Sequence, residues 1–373
     1  MVNVEQGLDY SSENEVSLPI SAISVKATKR GTITHEFNKN LQAEMLTPQD
    51  QDDHSIEASK LLEQGIGQQQ AGEFVAAMKS LQESLALFQA FGDLPKQAQA
   101  LSSLALVAYN SGDYKSAISY SQQCLSIAEN TADLRLRLQA LSHIGNSHRH
   151  LNNHDKAIEF LQDCLIIAHK QGDKRTQVAA LNNLGLVYKA LGNLQKAIEL
   201  KEQSLKLVRE LQDHWGEEQV LKNLGNAWYA LGDYPKAIAY YQDCIKISRS
   251  LDNHRSAIQV LKNLGNAFYA LGNYPQAVQY YQKRLELAKL VHDKHSQEQS
   301  LGSLGIACEA LGDYTKAIQY YEQRLELAKL IKDRRSEEQA IASLKAACYA
   351  LGDYTKAIKY EQLQEGEGGK GKE

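Results

Sequence analysis

Shifted by 40 residues against itself, the chain matches along most of its length. Ala-Leu-Gly-Asp-Tyr begins at Ala230, Ala310 and Ala350, and close variants begin at Ala190 and Ala270. Gly recurs at 65, 145, 185, 225, 265 and 305, with Ala105 and Lys345 in the same phase. Ala recurs at 77, 117, 157, 197, 237, 277, 317 and 357. Asp recurs at 53, 93, 133, 173, 213, 293 and 333, with Asn253 completing the series. A fixed period of this length means stacked copies of one small unit, each needing its neighbours to bury an apolar face.

The unit can be read from physical chemistry. The recurring Asp or Asn is placed to cap a helix start. Roughly 17 residues follow with Leu and Ala at helical spacing, as in RSAIQVLKNLGNAFYAL. A Gly-Asp or Gly-Asn pair then stops that helix and caps the next. Pro235 and Pro275 fall just inside the second helix, where a missing amide proton costs nothing. Each unit is therefore expected to be a helical hairpin, repeated eight times from starts near 53, 93, 133, 173, 213, 253, 293 and 333, over residues 53–364.

The motif LGNAFYALGNYPQAVQYYQ resembles the tetratricopeptide repeat, with its Leu-Gly, aromatic, Gly-Tyr and Ala positions in order. The 40-residue period, NLGN and QRLELAK are similar to the Pins/LGN adaptor group, with kinesin light chains and bacterial repeat arrays as looser relatives. The resemblance implies an all-α solenoid, a right-handed superhelix of about eight antiparallel hairpins, acting as a noncatalytic interaction scaffold. The acidic GoLoco motifs of the Pins group are absent, so binding of Gα subunits is not implied.

Composition narrows the function classes. Lys plus Arg is 41 and Asp plus Glu is 45, a balance of -4, which supplies no basic field for nucleic acid. No apolar run approaches the 18 residues or so of a membrane span. The start has neither a basic head nor an apolar stretch, so a cytoplasmic location is expected. Five cysteines without CxxC argue against a disulfide framework or thiolate zinc site. Cys124, Cys164 and Cys244 share one repeat phase and Cys308 and Cys348 another; all five read as core. Arg284 and Arg324 occupy the phase of the first three, a conflict that calls for some local adjustment.

Residues 1–52 have no sustained period and read as disordered, apart from a candidate short helix at 37–46. Residues 365–373 read as a flexible tail. The run GEGGKGK near the C-terminus matches GxxxxGK but lacks the following Ser or Thr, so no nucleotide site is expected. His143, His148, His150 and His154 lie close in sequence without a carboxylate or Cys at ligand spacing, and read as a polar patch. No catalytic, cofactor or metal site is expected.

In tetratricopeptide arrays the first helix of each hairpin lines the concave surface. Counted from the recurring Gly, the inward positions are three before, two before, one after and four after. In the fifth repeat these are Lys222, Asn223, Asn226 and Tyr229; in the sixth, Lys262, Asn263, Asn266 and Tyr269. The fourth supplies Asn182, Asn183 and Lys189, and the third His143, Asn146 and Arg149. Gln219, Gln259, Gln299 and Gln339 repeat six places before the Gly phase. Asn offers donor and acceptor to a peptide backbone, Lys a charge for carboxylates, and Tyr flat apolar area. The Lys-x-x-Gly-Asn pattern is similar to the carboxylate clamp of chaperone-binding members, although the adjacent clamp positions do not match. The expected partner is an extended polar or acidic peptide in a groove built by Arg149, Asn183, Lys189, Lys222, Asn223, Asn226, Tyr229, Lys262, Asn263, Asn266 and Tyr269. The alternatives are a peptide-responsive sensor or an assembly chaperone.

Overall fold

The caps set the architecture. In the computed structural model, which describes residues 48–368, sixteen α-helices and no strands occur among the described residues. They pair into hairpins: α1 Pro48–Gln70 with α2 Phe74–Phe91, α3 Leu94–Asn110 with α4 Tyr114–Asn130, α5 Leu134–His150 with α6 His154–Gln171, and α7 Lys174–Ala190 with α8 Leu194–Glu210. The series continues with α9 His214–Ala230 and α10 Tyr234–Ser250, then α11 His254–Ala270 and α12 Tyr274–Leu290. It closes with α13 Lys294–Ala310 and α14 Tyr314–Ile331, then α15 Arg334–Leu351 and α16 Tyr354–Gly368. From Ser55 on, the hairpins form one compact unit.

Asp93, Asp133, Asp173, Asp213, Asn253, Asp293 and Asp333 each accept a hydrogen bond from the amide three residues on, at 2.9–3.2 Å. These bonds satisfy amides that the first helical turn leaves open. At the turn inside the hairpin, Gly112, Gly192, Gly232, Gly272, Gly312 and Gly352 take left-handed backbone. The turn between hairpins uses the same conformation, with glycine at Gly92 and Gly172 and without it at Ala132, Gln212, Asp252, His292 and Lys332. The repeat pattern marked the first kind of turn but not the second.

Helix α1 starts at Pro48, ahead of the Asp53 start, and α16 runs to Gly368, past residue 364. No left-handed turn precedes Asp53 as one precedes the later first helices, and no Gly-Asp or Gly-Asn pair follows residue 364. The candidate helix at 37–46, the rest of residues 1–47, and residues 369–373 with the end of the GEGGKGK run lie outside the described residues.

The recurring Ala of each second helix is at most 1 % exposed in all eight hairpins, which lets its partner helix approach closely. The recurring Gly of the first helix faces the residue sixteen places on. A Cβ at Gly225, Gly265 or Gly305 would fall on the ring of Tyr241, Tyr281 or Tyr321; at Gly65 or Gly145 it would fall on Leu81 or Leu161. The exceptions follow the same logic. Ala105 stands opposite a small Ser121, and Lys345 opposite Glu361, with which it forms an ion pair at 3.8 Å.

All five cysteines are free and buried. Cys124, Cys164 and Cys244 donate weakly to the carbonyls of Ala98, Leu138 and Glu218, each 26 residues earlier. Burial pushes these thiols up, Cys124 to about 11 and Cys164 and Cys244 to about 12. The second-helix residue of this phase thus reaches back across its own hairpin.

Candidate functional site

The curvature identifies the inner face. Helix α5 packs on α3 and α7, and α11 on α9 and α13, in addition to their sequence neighbours; the second helices of successive hairpins meet through long side chains, as where Tyr240 donates to Glu202 and Gln82 to Tyr120, each at 3.0 Å. First helices therefore lie closer together than second helices, so their free faces form the concave surface.

The structure carries Arg149 on α5, Asn183 and Lys189 on α7, Lys222, Asn223, Asn226 and Tyr229 on α9, and Lys262, Asn263, Asn266 and Tyr269 on α11. All are half-buried except Lys189, which is exposed. The sequence reading gave each Asn both a donor and an acceptor for a ligand. In the fifth and sixth repeats the acceptor is engaged inside the protein. Tyr241 donates to Asn226 Oδ1 at 2.7 Å, and Tyr281 to Asn266 Oδ1 at 2.7 Å. Asn226 Oδ1 also accepts from Asn263 Nδ2 at 3.0 Å, and Asn263 Oδ1 accepts from Gln259 Nε2 at 3.1 Å. The amides thus form a ladder from α9 to α11, locked from below by tyrosines of the second helices. The Nδ2 groups of Asn226 and Asn266 make no hydrogen bond among the described residues. Here the groove offers donors.

The third repeat differs because Leu161 replaces the tyrosine, and the fourth because Lys201 replaces it and Leu186 stands where Asn226 does, with Asn182 in the place of Lys222. Asn146 Oδ1, Asn182 Oδ1 and His143 Nδ1 are buried atoms with no hydrogen-bond partner among the described residues. Burial lowers the pKa of His143, favouring the neutral ring. This half of the face leaves two buried amide acceptors unsatisfied. The sequence held the signal, since residue 161 or 201 could have been compared with 241.

Around this stretch the histidines are not a uniform polar patch. His148 is buried and stacks on Phe160 at 5.9 Å. His150 stacks on Tyr114 at 4.4 Å, meets Tyr109 Oη at 2.9 Å, and its Nε2 accepts from Arg149 Nη2 at 2.8 Å. Arg149 is thus tied to this aromatic group. Among the described residues no three His, Cys, Asp or Glu side chains converge as a metal site requires.

Aromatic and charged groups border the ladder. Tyr229 packs on Tyr234 at 5.3 Å and Tyr269 on Tyr274 at 5.1 Å, which fixes rings at the edge of the face. Lys222 Nζ donates to Gln219 Oε1 at 2.8 Å. Burial, then the charge of Arg284, lowers the pKa of Lys262. In the seventh repeat Ile306 stands where Asn226 and Asn266 stand, and the acid that acts on Tyr321 is Glu309. Burial raises the pKa of Glu309, so the ladder ends on an acid.

Family models of the tetratricopeptide repeat match residues 57–130, 136–210, 217–290 and 300–335, on the same hairpins. The chain belongs to the tetratricopeptide repeat family. No curated protein matches the sequence. Among solved structures, a STAND signal-transduction ATPase with a tetratricopeptide repeat sensor, from Pyrococcus horikoshii, aligns at TM-score 0.60 and 17% identity over 89% of this chain. The alignment takes in 52% of that protein, so this chain spans about half of its length. The apo form of RapI aligns at 0.54 and 15% identity, over 74% of this chain and 99% of its own. The quorum sensor NprR from B. thuringiensis aligns at 0.50 and 14% identity, over 89% and 91%. At these identities the likeness is one of fold. No helix among the described residues is long and apolar enough to cross a membrane.

Proposed function

We propose that the chain is a noncatalytic adaptor that holds an extended polar or acidic peptide segment along its concave face. The observation that carries this reading is the set of polar atoms left without partners on that face. The buried oxygens of Asn146 and Asn182 call for donors, and the ring nitrogen of His143 for a partner set by its tautomer. The amide nitrogens of Asn226 and Asn266 call for acceptors. A buried polar atom without a partner is costly, and an extended backbone presents both donors and acceptors at regular spacing. Lys222 and Lys262 favour carboxylates among the side chains of such a peptide, and Tyr229 and Tyr269 its apolar ones. Nucleic acid fits this mixture poorly, because the face has acceptors and Glu309 beside its cations.

A second reading, a peptide-responsive sensor, is supported by the likeness in fold to RapI and to the quorum sensor NprR. A ligand-induced change in radius of gyration would favour it over a rigid adaptor.

The test is an arrayed peptide library probed with labelled wild-type protein and with Lys222→Glu plus Lys262→Glu. Acidic extended peptides should bind wild type and lose at least ~10-fold in affinity, about 1.4 kcal/mol, in the double variant. Helicity by circular dichroism should stay unchanged. Equal affinities would remove the groove from the function.

A further inference from the structure

One junction between hairpins departs from the others. Four residues after the Asp or Asn that caps a first helix, a long polar side chain normally closes the junction. Gln97, Gln177 and Gln297 donate to the carbonyls of Phe88, Ala168 and Ala288, each nine residues earlier, at 3.0–3.3 Å. Glu217, Glu337 and Arg137 instead pair with the residue eight places earlier: Arg209 at 2.7 Å, Lys329 at 3.5 Å and Glu129 at 3.5 Å. In the sixth hairpin this position is Ala257, which reaches neither kind of partner. Arg249, eight places before it, makes no ion pair among the described residues.

A cleft of about 580 Å³ opens there, bounded by the C-terminal halves of α10 and α12 and the first half of α11. Its deepest part is apolar: Ala257 and Leu261 are buried and Leu287 is half-buried. Leu290 at the lip is 69 % exposed. Arg249, His254 and Lys283 stand around it together with the acids Asp252 and Glu286, and neither acid comes within ion-pair distance of Arg249. Lys283 Nζ lies over the ring of Tyr280, 4.9 Å from its centre. Helical spacing turns Ala257 and Leu261 away from Asn263 and Asn266, so the cleft is on the convex side, behind the hairpins that carry the amide ladder.

The cleft has the size of a small-molecule site, about 300–1,000 Å³. Its apolar interior and the exposed Leu290 favour a hydrocarbon group. The guanidinium of Arg249 matches a carboxylate, the group that Glu217 presents to Arg209 one hairpin earlier. Asp252 and Glu286 offset the two permanent cations, so a polyanion such as a nucleotide gains little there. We propose that this cleft binds a small apolar carboxylic acid, with its carboxylate on Arg249 and its hydrocarbon against Leu261, Leu287 and Leu290. The ligand supplies both the filling and the charge that Ala257 leaves out. The site is separate from the peptide groove and does not depend on it.

The experiment titrates the full chain with octanoate, followed by ligand-observed NMR, with octanol and octylamine as controls. Octanoate should bind wild type at least ~10-fold more tightly than either control, and Arg249→Met should remove that preference. Arg249 is exposed, so this variant should fold as wild type does. Ala257→Glu should abolish binding while melting no lower than wild type, because it installs the pair that closes the fifth junction. Lys222→Glu with Lys262→Glu, on the opposite face, should leave octanoate binding unchanged. No binding of octanoate by wild type overturns the proposal. Equal binding of octanol or octylamine overturns it as well, since the carboxylate would then have no role. Octanoate binding at wild-type strength by Arg249→Met or by Ala257→Glu removes the cleft as its location. Loss of octanoate binding in the Lys222, Lys262 variant moves it to the groove, and the cleft falls.

Discussion

Replacing Gly225 by Ala should destabilise the fold, although the residue sits in a helix interior where Ala is the better helix former. The new Cβ would lie closer than 3 Å to three carbons of the Tyr241 ring. That ring is 2 % exposed and its hydroxyl is bonded to Asn226, so it cannot swing aside. Overpacking of this kind costs about 1–3 kcal/mol. The change from Gly to Ala returns about 1 kcal/mol of helix propensity. The net expectation is roughly 1 kcal/mol of destabilisation, taking the middle of the overpacking range. In a Tyr241→Ser background the obstacle is gone and only the propensity gain remains, so Gly225→Ala should stabilise by about 1 kcal/mol there. The coupling between the two sites is then about 2 kcal/mol, within reach of a double-mutant cycle. The chain already holds this pairing, as Ala105 opposite Ser121. Urea titrations of the four proteins, followed by circular dichroism, measure it. Gly185→Ala is the control: its Cβ would meet nothing nearer than 3.5 Å, so it should stabilise. A Gly225→Ala effect of the same sign and size in both backgrounds would refute the argument.

Two further outcomes are expected. The Thr176 hydroxyl, at 2.6 Å, is the first of several groups that hold the Asp173 carboxyl below its usual range. A carboxyl lowered by folding adds stability above its unfolded pKa of about 4 and loses it as pH falls through the folded value. Asp173→Ala should therefore cost about 1 kcal/mol at pH 7, and the difference should shrink as pH falls below 4; a pH-independent difference in urea midpoints would contradict this. Cys124, Cys164 and Cys244, buried and with raised pKa values, should resist iodoacetamide at pH 8 in native protein and react fully in denaturant. Mass-spectrometric labelling of Cys164 or Cys244 at the rate of a free thiol would show that the hairpins open locally.

The hairpins were legible because their signals are local. An Asp three residues before the amide it caps, or a Gly at a left-handed turn, acts through its own segment of chain. The candidate face was legible for the related reason that helical spacing says which residues share a side. The state of that face was not. Asn226 looks the same in sequence as Asn146, yet one carbonyl is engaged by Tyr241 and the other is left open because Leu161 stands in that place. Arg284 and Arg324 likewise share a phase, and what separates them is Ile258 against Glu298. Those partners are 15 and 26 residues away, and the distances that matter exist only once the two helices of a hairpin lie side by side.

The sequence by itself thus determined the eight-fold plan, the caps, the small residues at the helix crossings and the set of side chains offered inward. Each of these follows from local conformational preference and from a period that obliges like units to stack. Tertiary structure alone decided which of the offered groups are already satisfied. A hydrogen bond forms or fails over a few tenths of an ångström, a length that packing sets and a repeat pattern does not encode. The polar atoms left unsatisfied on the concave face are those the proposed peptide has to meet.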